Sequence, residues 1–585
     1  MVWFEHYFGL CIVQHGRIKV KTTAEQQEAK RKEREKKLKI YNAGTEAVFQ
    51  KRKNKEFDEE GLKLSGELLG VNPDIYSFWN FRREIFIDLQ DKREEAELQK
   101  LLQDELHFLE ACLKVNPKSY GAWHHRCFVM DAIPEPDWGR ELHLCNTFLN
   151  LDERNFHCWD YRRHVVLRSN VNLDEELQYT TQKIQSNFSN YSSWHYRSKL
   201  LPVIHPDSSH PVAVQEDVLL KEFEVVQNAV FTDPDDQSAW FYQRWLLGRG
   251  QKKLQICCVH VSRDLQRIVV LLSRPVMMGQ GHCLTVSIDT TPVAGKWRTI
   301  TGSRMYSTLW VIDLPDQSLP VDKQASIAVT LMDDRYCTKF SEGLQLMPDQ
   351  EETWAVAEFK QGSRFSTELS AAATSTMAQE LESIRELQSL EPNNKWVLLT
   401  MIHLMKAIDP EHTKYAAELE ESFNKLAAVD TMRKSYYWDL RSKFLIESVL
   451  ESHDSKVRDV KLCQRGLSCL YHTDWMVLVT SIDLSQNYLK SVRSLSDLQC
   501  LRSLNLDNNQ LADLQGLAFC RRLTDLSVKN NSICNVEVFE ELRTCVFLKK
   551  LSVAGNPVCA IEDNVTKICA LNKSLQVVDE QDSIG

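Results

Sequence analysis

Five tryptophans in the first half of the chain are each followed by an arginine inside nearly the same run of residues. The copies are Asn72-Pro73 to Trp79-Asn80-Phe81-Arg82, Asn116-Pro117 to Trp123-His124-His125-Arg126, Asp152 to Trp159-Asp160-Tyr161-Arg162, Asn187 to Trp194-His195-Tyr196-Arg197, and Asp233-Pro234 to Trp240-Phe241-Tyr242-Gln243-Arg244. The tryptophans stand 44, 36, 35 and 46 residues apart, a period that belongs to stacked helical hairpins. Four residues before tryptophan come Ser119, Asn155, Asn190 and Asp236, whose short side chains accept from an unpaired N–H at a helix start. Helices are therefore expected to begin there. The repeated ring is read as packing between neighbouring hairpins, and the arginine one turn on as bonding to carbonyls or carboxylates of the next hairpin.

Amphipathic runs lie between these helices, such as Leu98 to Leu113 and Val218 to Val226, so each repeat reads as an antiparallel helix pair and the whole as a curved α-solenoid. After Trp240 the spacing jumps to 156 residues, at Trp396, before returning to 42, at Trp438. A domain-sized segment interrupts the series. Within it, about Cys257 to Phe359, short β-rich runs (268–272, 284–288, 309–312 and 327–331) alternate with turn residues, which suggests a small Ig-like β-sandwich. Beyond Lys456 a second repeat runs Leu-x-Leu-x-x-Asn-x-Leu, with Asn487, Asn509, Asn531 and Asn556 at intervals of 22, 22 and 25 and Arg465 in an earlier copy. This is a leucine-rich repeat, and its asparagines are expected to bond backbone at the turns.

The expected organisation is a multidomain, mainly α chain. It has an atypical leader (1–14), α-hairpin repeats (15–256), an inserted β-sandwich (257–360), resumed helical repeats (361–450) and leucine-rich repeats (451–585). Lys19 to Lys39 mixes charges of both signs and reads as a solvated helix. A formal charge of −10 with 26% charged residues argues against nucleic acid as the main partner. The 17 cysteines are scattered without a CxxC pair, the pattern of reduced, mostly buried thiols. No run reaches the length of a membrane helix, so a soluble, cytoplasmic protein is expected.

Catalytic signatures are scarce. There is no phosphate loop, His-Glu-x-x-His, nucleophile elbow or kinase motif, and sets such as His124-His125 and His157-Cys158 belong to repeat copies, so a zinc site built wholly from this chain is not expected. The residue five before tryptophan is Asp74, Lys118, Arg154, Ser189 or Asp235. Two consecutive copies thus set a cation just ahead of a helix N-terminus, where N–H groups and the dipole already favour an anion.

The repeat Asn-Pro-x-Ser-Tyr-x-x-Trp-His-His-Arg, with its relatives at Asn155 to Trp159 and Asn190 to Arg197, resembles that of the protein prenyltransferase α-subunit family. The order of hairpins, inserted sandwich, resumed helices and leucine-rich repeats resembles the Rab (type II) branch of that family. The resemblance covers about residues 15 to 585. It implies half of an enzyme, paired with a β subunit that carries the catalytic zinc. The implied reaction moves geranylgeranyl from geranylgeranyl diphosphate to C-terminal cysteines of Rab GTPases presented by a Rab escort protein. Carried over by position, Lys118 would contact the diphosphate beside Tyr120, Asn155 and His157 would face it from the next repeat with Arg154 close by, and Tyr191 would follow in the third. Phe156 replaces a tyrosine of farnesyltransferase-type relatives, so one hydroxyl contact is lost. His15-Gly16 matches a pair whose histidine can reach the partner's zinc; here 14 residues precede it. Two other readings are a non-catalytic scaffold in which both repeat arrays bind proteins, and a prenyltransferase serving other small GTPases.

Overall fold

The computed structural model describes residues 24–206, 214–248, 254–279, 281–302, 305–333, 338–358, 364–365, 374–453, 456–579 and 581–582. The leader at 1–14 and His15 lie outside them. The chain forms two compact units, residues 1–204 and 205–585.

The first unit is nine helices among the described residues: α1 (Ala24–Asn54), α2 (Glu59–Val71), α3 (Tyr76–Gln90), α4 (Glu95–Val115), α5 (Tyr120–Ala132), α6 (Trp138–Leu151), α7 (Phe156–Arg168), α8 (Leu173–Ser186) and α9 (Tyr191–Ile204). From Ala24 on, the mixed-charge segment belongs to α1, where pairs such as Lys37–Glu33 (2.6 Å) lie one turn apart on an exposed face; residues 19–23 lie outside the described residues. Helix α4 buries Leu98, Leu102, Leu106, Leu109 and Leu113, the apolar stripe that its spacing calls for.

Helix starts follow the expected chemistry. Ser119 Oγ accepts the Ala122 N–H, and Asn155 Oδ1 accepts those of His157 and Cys158. Each tryptophan is the fourth residue of its helix, and its indole N–H donates to the carbonyl six residues earlier: Trp79 to Pro73 at 2.8 Å, Trp123 to Pro117 at 2.8 Å, Trp159 to Glu153 at 2.8 Å and Trp194 to Phe188 at 2.7 Å. The next repeat's cap donates to the same oxygen: Ser119 Oγ to Pro73 at 2.8 Å, Asn155 Nδ2 to Pro117 at 2.8 Å and Asn190 Nδ2 to Glu153 at 3.1 Å. One carbonyl thus closes its own helix start and fixes its distance from the next.

The arginines are architectural. Arg82 forms a two-bonded pair with Glu105, Arg126 with Glu141 (2.7 Å twice) and Arg162 with Glu176 (2.9 and 2.6 Å). Arg82 and Arg126 also donate to the carbonyls of Leu62 and Leu106 on the preceding helix, so each ties three helices. Buried pairs of this kind select one packing arrangement more than they add net stability.

In the second unit, α10 (Glu216–Thr232) and α11 (Gln237–Leu247) carry the fifth copy. Eight strands follow: β1 (Ile256–Ser262), β2 (Arg267–Val276), β3 (His282–Ile288), β4 (Thr291–Pro292), β5 (Ser307–Asp313), β6 (Ala325–Asp333), β7 (Thr338–Leu346) and β8 (Glu352–Val356). They make two antiparallel sheets, β5-β2-β1-β8 and β4-β3-β6-β7. Val259, Val261, Ile268 and Val270 of one sheet and Leu284, Val286, Ile327 and Val329 of the other share one core, which is a sandwich. Helices α12 (Thr374–Leu390), α13 (Lys395–Ile408), α14 (Ala416–Val429) and α15 (Lys434–Ser452) resume the repeats. The carbonyl device resumes with them: Pro234 accepts from Trp240 at 2.9 Å and from Asn394, 160 residues along, at 3.0 Å. The sandwich therefore interrupts the sequence of the stack but not its bonding.

Strands β9 (Asp459–Lys461), β10 (Ser481–Asp483), β11 (Ser503–Asn505), β12 (Asp525–Ser527), β13 (Lys550–Ser552), β14 (Val577–Val578) and β15 (Gln581–Asp582) form one sheet, parallel except for its last pair. Asn509 shows the asparagine's work: Nδ2 donates to Leu484 and Leu506 carbonyls at 3.0 Å each, and Oδ1 accepts the Leu489 N–H at 3.0 Å.

Candidate active-site surface

Lys118 and Arg154 stand in equivalent loops, between α4 and α5 and between α6 and α7. Asn116 Oδ1 accepts the Lys118 N–H at 3.0 Å and Asp152 Oδ1 the Arg154 N–H at 3.1 Å, the Asx turns that these residue types favour. The Lys118 ammonium lies 3.3 Å from Asp152 Oδ2, with its side chain 53% exposed. Asp152, the C-cap of α6, thus tethers this cation in solvent just before the N-terminus of α5. Arg154 is exposed.

Tyr120 is the first residue of α5 and is 72% exposed. Its ring meets the His157 imidazole edge-on at 4.2 Å, and Phe156 covers the same imidazole at 4.0 Å. His157 is buried. Burial lowers its pKa below the ordinary histidine value; Asp160 opposes the shift and the Lys118 charge adds to it. The imidazole is therefore neutral near pH 7 and keeps an N–H to donate.

Asn155 is buried, its oxygen engaged in capping α7 and its amide in the bond to Pro117, the residue before Lys118. Tyr191 begins α9, half-exposed, and stacks on His195 at 5.8 Å. Lys118, Tyr120, Asn155 and His157 are brought together around the starts of α5 and α7; Arg154 and Tyr191 occupy neighbouring positions of the same pattern. Tyr76, Tyr120, Phe156 and Tyr191 all hold the first helical position and are all exposed. A cation, a neutral imidazole donor, helix N-termini and exposed rings suit a ligand with an anionic head and an apolar body.

Sequence reasoning met His125 only as part of the repeat-borne His124-His125 set and did not single out Glu105. His125 Nε2 lies 2.9 Å from Glu105 Oε1, both buried. The position two after tryptophan is Phe81 in the first copy and a tyrosine in the last three: Tyr161 donates to Glu141 at 2.6 Å and Tyr242 to Glu222 at 2.6 Å. His125 is the imidazole version of that internal bond. Among the described residues the only metal-type grouping is His260, Glu352 and Cys500, in the second unit; the hairpins of the first unit assemble none. No helix among the described residues is long and apolar enough to cross a membrane.

Comparison with known proteins agrees with this architecture. Residues 102–133, 138–169, 173–202 and 219–250 match the protein prenyltransferase alpha subunit repeat. Residues 256–356 match the Rab geranylgeranyl transferase alpha-subunit insert domain, and 479–519 match leucine-rich repeats. The geranylgeranyl transferase type-2 subunit alpha of Bos taurus is 46% identical over 573 residues, covering 96% of this chain and 100% of that protein. The Homo sapiens protein of the same name is 45% identical with the same coverage. The Dictyostelium discoideum protein is 41% identical over 235 residues, 40% of this chain and 74% of that one. With this identity sustained from end to end of its relatives, the chain belongs to the family of geranylgeranyl transferase type-2 α subunits.

Proposed function

We propose that the chain works with a β subunit to transfer geranylgeranyl from geranylgeranyl diphosphate to C-terminal cysteines of Rab GTPases, presented by an escort protein. The observation that carries this reading is the full-length match to type-2 α subunits, insert domain included. The reacting cysteine's sulfur forms a bond to C1 of the isoprenoid while the C1–O bond breaks, and the electron pair leaves with the diphosphate.

Charge grows on the diphosphate as that bond breaks. The Lys118 ammonium, held by one carboxylate and open to solvent, moves toward the developing anion and stabilises it more than the ground state. The neutral His157 imidazole and the Tyr120 hydroxyl donate to the same head group, with Arg154 and the N-terminus of α7 adding positive potential. Asn155 acts through Pro117 to fix the Lys118 loop, and Tyr191 extends the ring surface toward the isoprenoid. Zinc, which would hold the attacking cysteine as a thiolate, is assigned to the β subunit on the resemblance to the prenyltransferase family.

Co-expression with a type-2 β subunit tests the proposal. A stable heterodimer that prenylates Rab only with escort protein is expected. Failure to pair, or equal transfer to a GTPase ending in a CaaX motif without escort, overturns it.

A further inference from the structure

The outer face of the β5-β2-β1-β8 sheet lies against the leucine-rich repeats, Val269, Leu271 and Val311 packing with Val477, Leu478 and Cys500. Three ligating side chains, 92 and 240 residues apart in sequence, converge at this contact. Cys500 Sγ lies 3.2 Å from His260 Nε2, and the same nitrogen lies 3.2 Å from Glu352 Oε2. All three ligand atoms fall within 4.8 Å of one another. His260 and Cys500 are buried and the Glu352 side chain is 12% exposed.

Both contacts to His260 use Nε2, while Nδ1 is buried without a hydrogen-bond partner. A Cys-His-acid relay needs one partner on each ring nitrogen, so this is not a nucleophile in waiting. A single N–H between a thiol and a carboxylate also satisfies neither fully. A cation placed among the three meets a lone pair from each. With bonds of about 2.0–2.2 Å to nitrogen and oxygen and about 2.3 Å to sulfur, a tetrahedral zinc ion has ligand–ligand edges of about 3.3 Å (N to O) and about 3.6 Å (N to S). The observed separations are within a few tenths of an ångström of these.

The surroundings fit. Arg458 donates to the other Glu352 oxygen, Arg522 donates to Oε2, and Arg522 also pairs with Asp264 at 2.9 Å. Such second contacts orient a ligating carboxylate. Sulfur and imidazole donors select a borderline-soft ion over magnesium or calcium.

We propose that His260, Glu352 and Cys500 form a structural site for a divalent ion of the zinc class, which joins the inserted sandwich to the leucine-rich repeats. The test is cobalt titration of the metal-stripped full-length chain. A thiolate-to-cobalt charge-transfer band saturating at one equivalent, displaced by zinc and lost in Cys500→Ser, is expected, with zinc raising the thermal midpoint of the wild type only. Absence of the band, or an equal band in Cys500→Ser, overturns the site. Should Cys500→Ser not fold, zinc-edge X-ray absorption of the zinc-loaded wild type decides: a mixed sulfur and nitrogen/oxygen shell supports the site, and an all-sulfur or sulfur-free shell refutes it.

Discussion

The Asn155 amide donates to the Pro117 carbonyl at 2.8 Å, the oxygen that also takes the Trp123 indole. Asn155 therefore sets where Lys118, the residue after Pro117, begins its loop. Asn155→Ala loses a helix cap, worth about 1 kcal/mol, together with this tie. A destabilisation of about 1–2 kcal/mol in urea denaturation is expected, with lower prenyl transfer. Asn155→Asp keeps the cap and loses only the donor, so its turnover should fall while most stability returns. Wild-type turnover in Asn155→Asp would show that the tie does not position Lys118.

Gly121 follows Tyr120 because Trp79 leaves no room for a side chain there. A β-carbon at this position would sit 2.4 Å from Trp79 Cδ1 and 2.7 Å from its Nε1. The indole cannot retreat, since it is buried and bonded to Pro73. Gly121→Ala is expected to cost about 1–3 kcal/mol, the range for overpacking, despite alanine's better helix propensity. An unchanged or raised thermal midpoint would refute the clash.

These two contacts show what was legible in sequence. The caps at Ser119 and Asn155, the tryptophan in the first turn and the leucine-rich asparagines follow from local chemistry and a fixed period, which one sequence displays. Strands β2, β3, β5 and β6 coincide with the β-rich runs. Strand β1 is harder to read because Cys257, Cys258, His260 and Ser262 interrupt its β-branched residues, whereas the equally buried run in β2 is unbroken. Glu105, His125 and Gly121 could not be found because their roles come from partners 20 or more residues away on other helices. The grouping of His260, Glu352 and Cys500 has no local signature at all. At the surface around Lys118, the repeat located the cation, but the Asp152 tether and the burial of His157 needed coordinates.

Acid should weaken the first unit through the His125–Glu105 pair. Burial pushes the His125 pKa down from 6.5 to about 4, with Glu105 only partly opposing. The fold thus holds the ring neutral while the unfolded chain protonates it, and stability is lost as pH falls from 6.5 toward 4. Glu105 works against burial, yet Arg82 and His125 hold it at about 2 instead of 4.5; its contribution is present above 4.5 and lost as pH falls toward 2. His125→Tyr installs the residue that bonds Glu141 and Glu222 in other copies. Denaturation midpoints between pH 6.5 and 4 should flatten in this variant while the loss below pH 4.5 remains. An identical pH profile would remove His125 from the account.

Lys118 separates chemistry from architecture most cleanly. Its one close ionic partner among the described residues is Asp152, and the pair is about half exposed, so removing it should change stability by about 1 kcal/mol or less. The neighbouring loop is held by the Asn116 oxygen, the Ser119 hydroxyl and the Asn155 amide rather than by the ammonium. Lys118→Ala should therefore fold and pair with a β subunit as the wild type does. If the ammonium meets the departing diphosphate, kcat falls by about a hundred- to a thousand-fold, the range for losing one preorganised partner of a developing anion, with KM for geranylgeranyl diphosphate changed far less. Lys118→Arg keeps the charge with a different donor geometry and should recover part of kcat. A variant with wild-type kcat and a raised KM would place Lys118 in ground-state binding alone. Wild-type values for both would leave this cation a solvated loop residue and move the search for leaving-group stabilisation to Arg154 and His157.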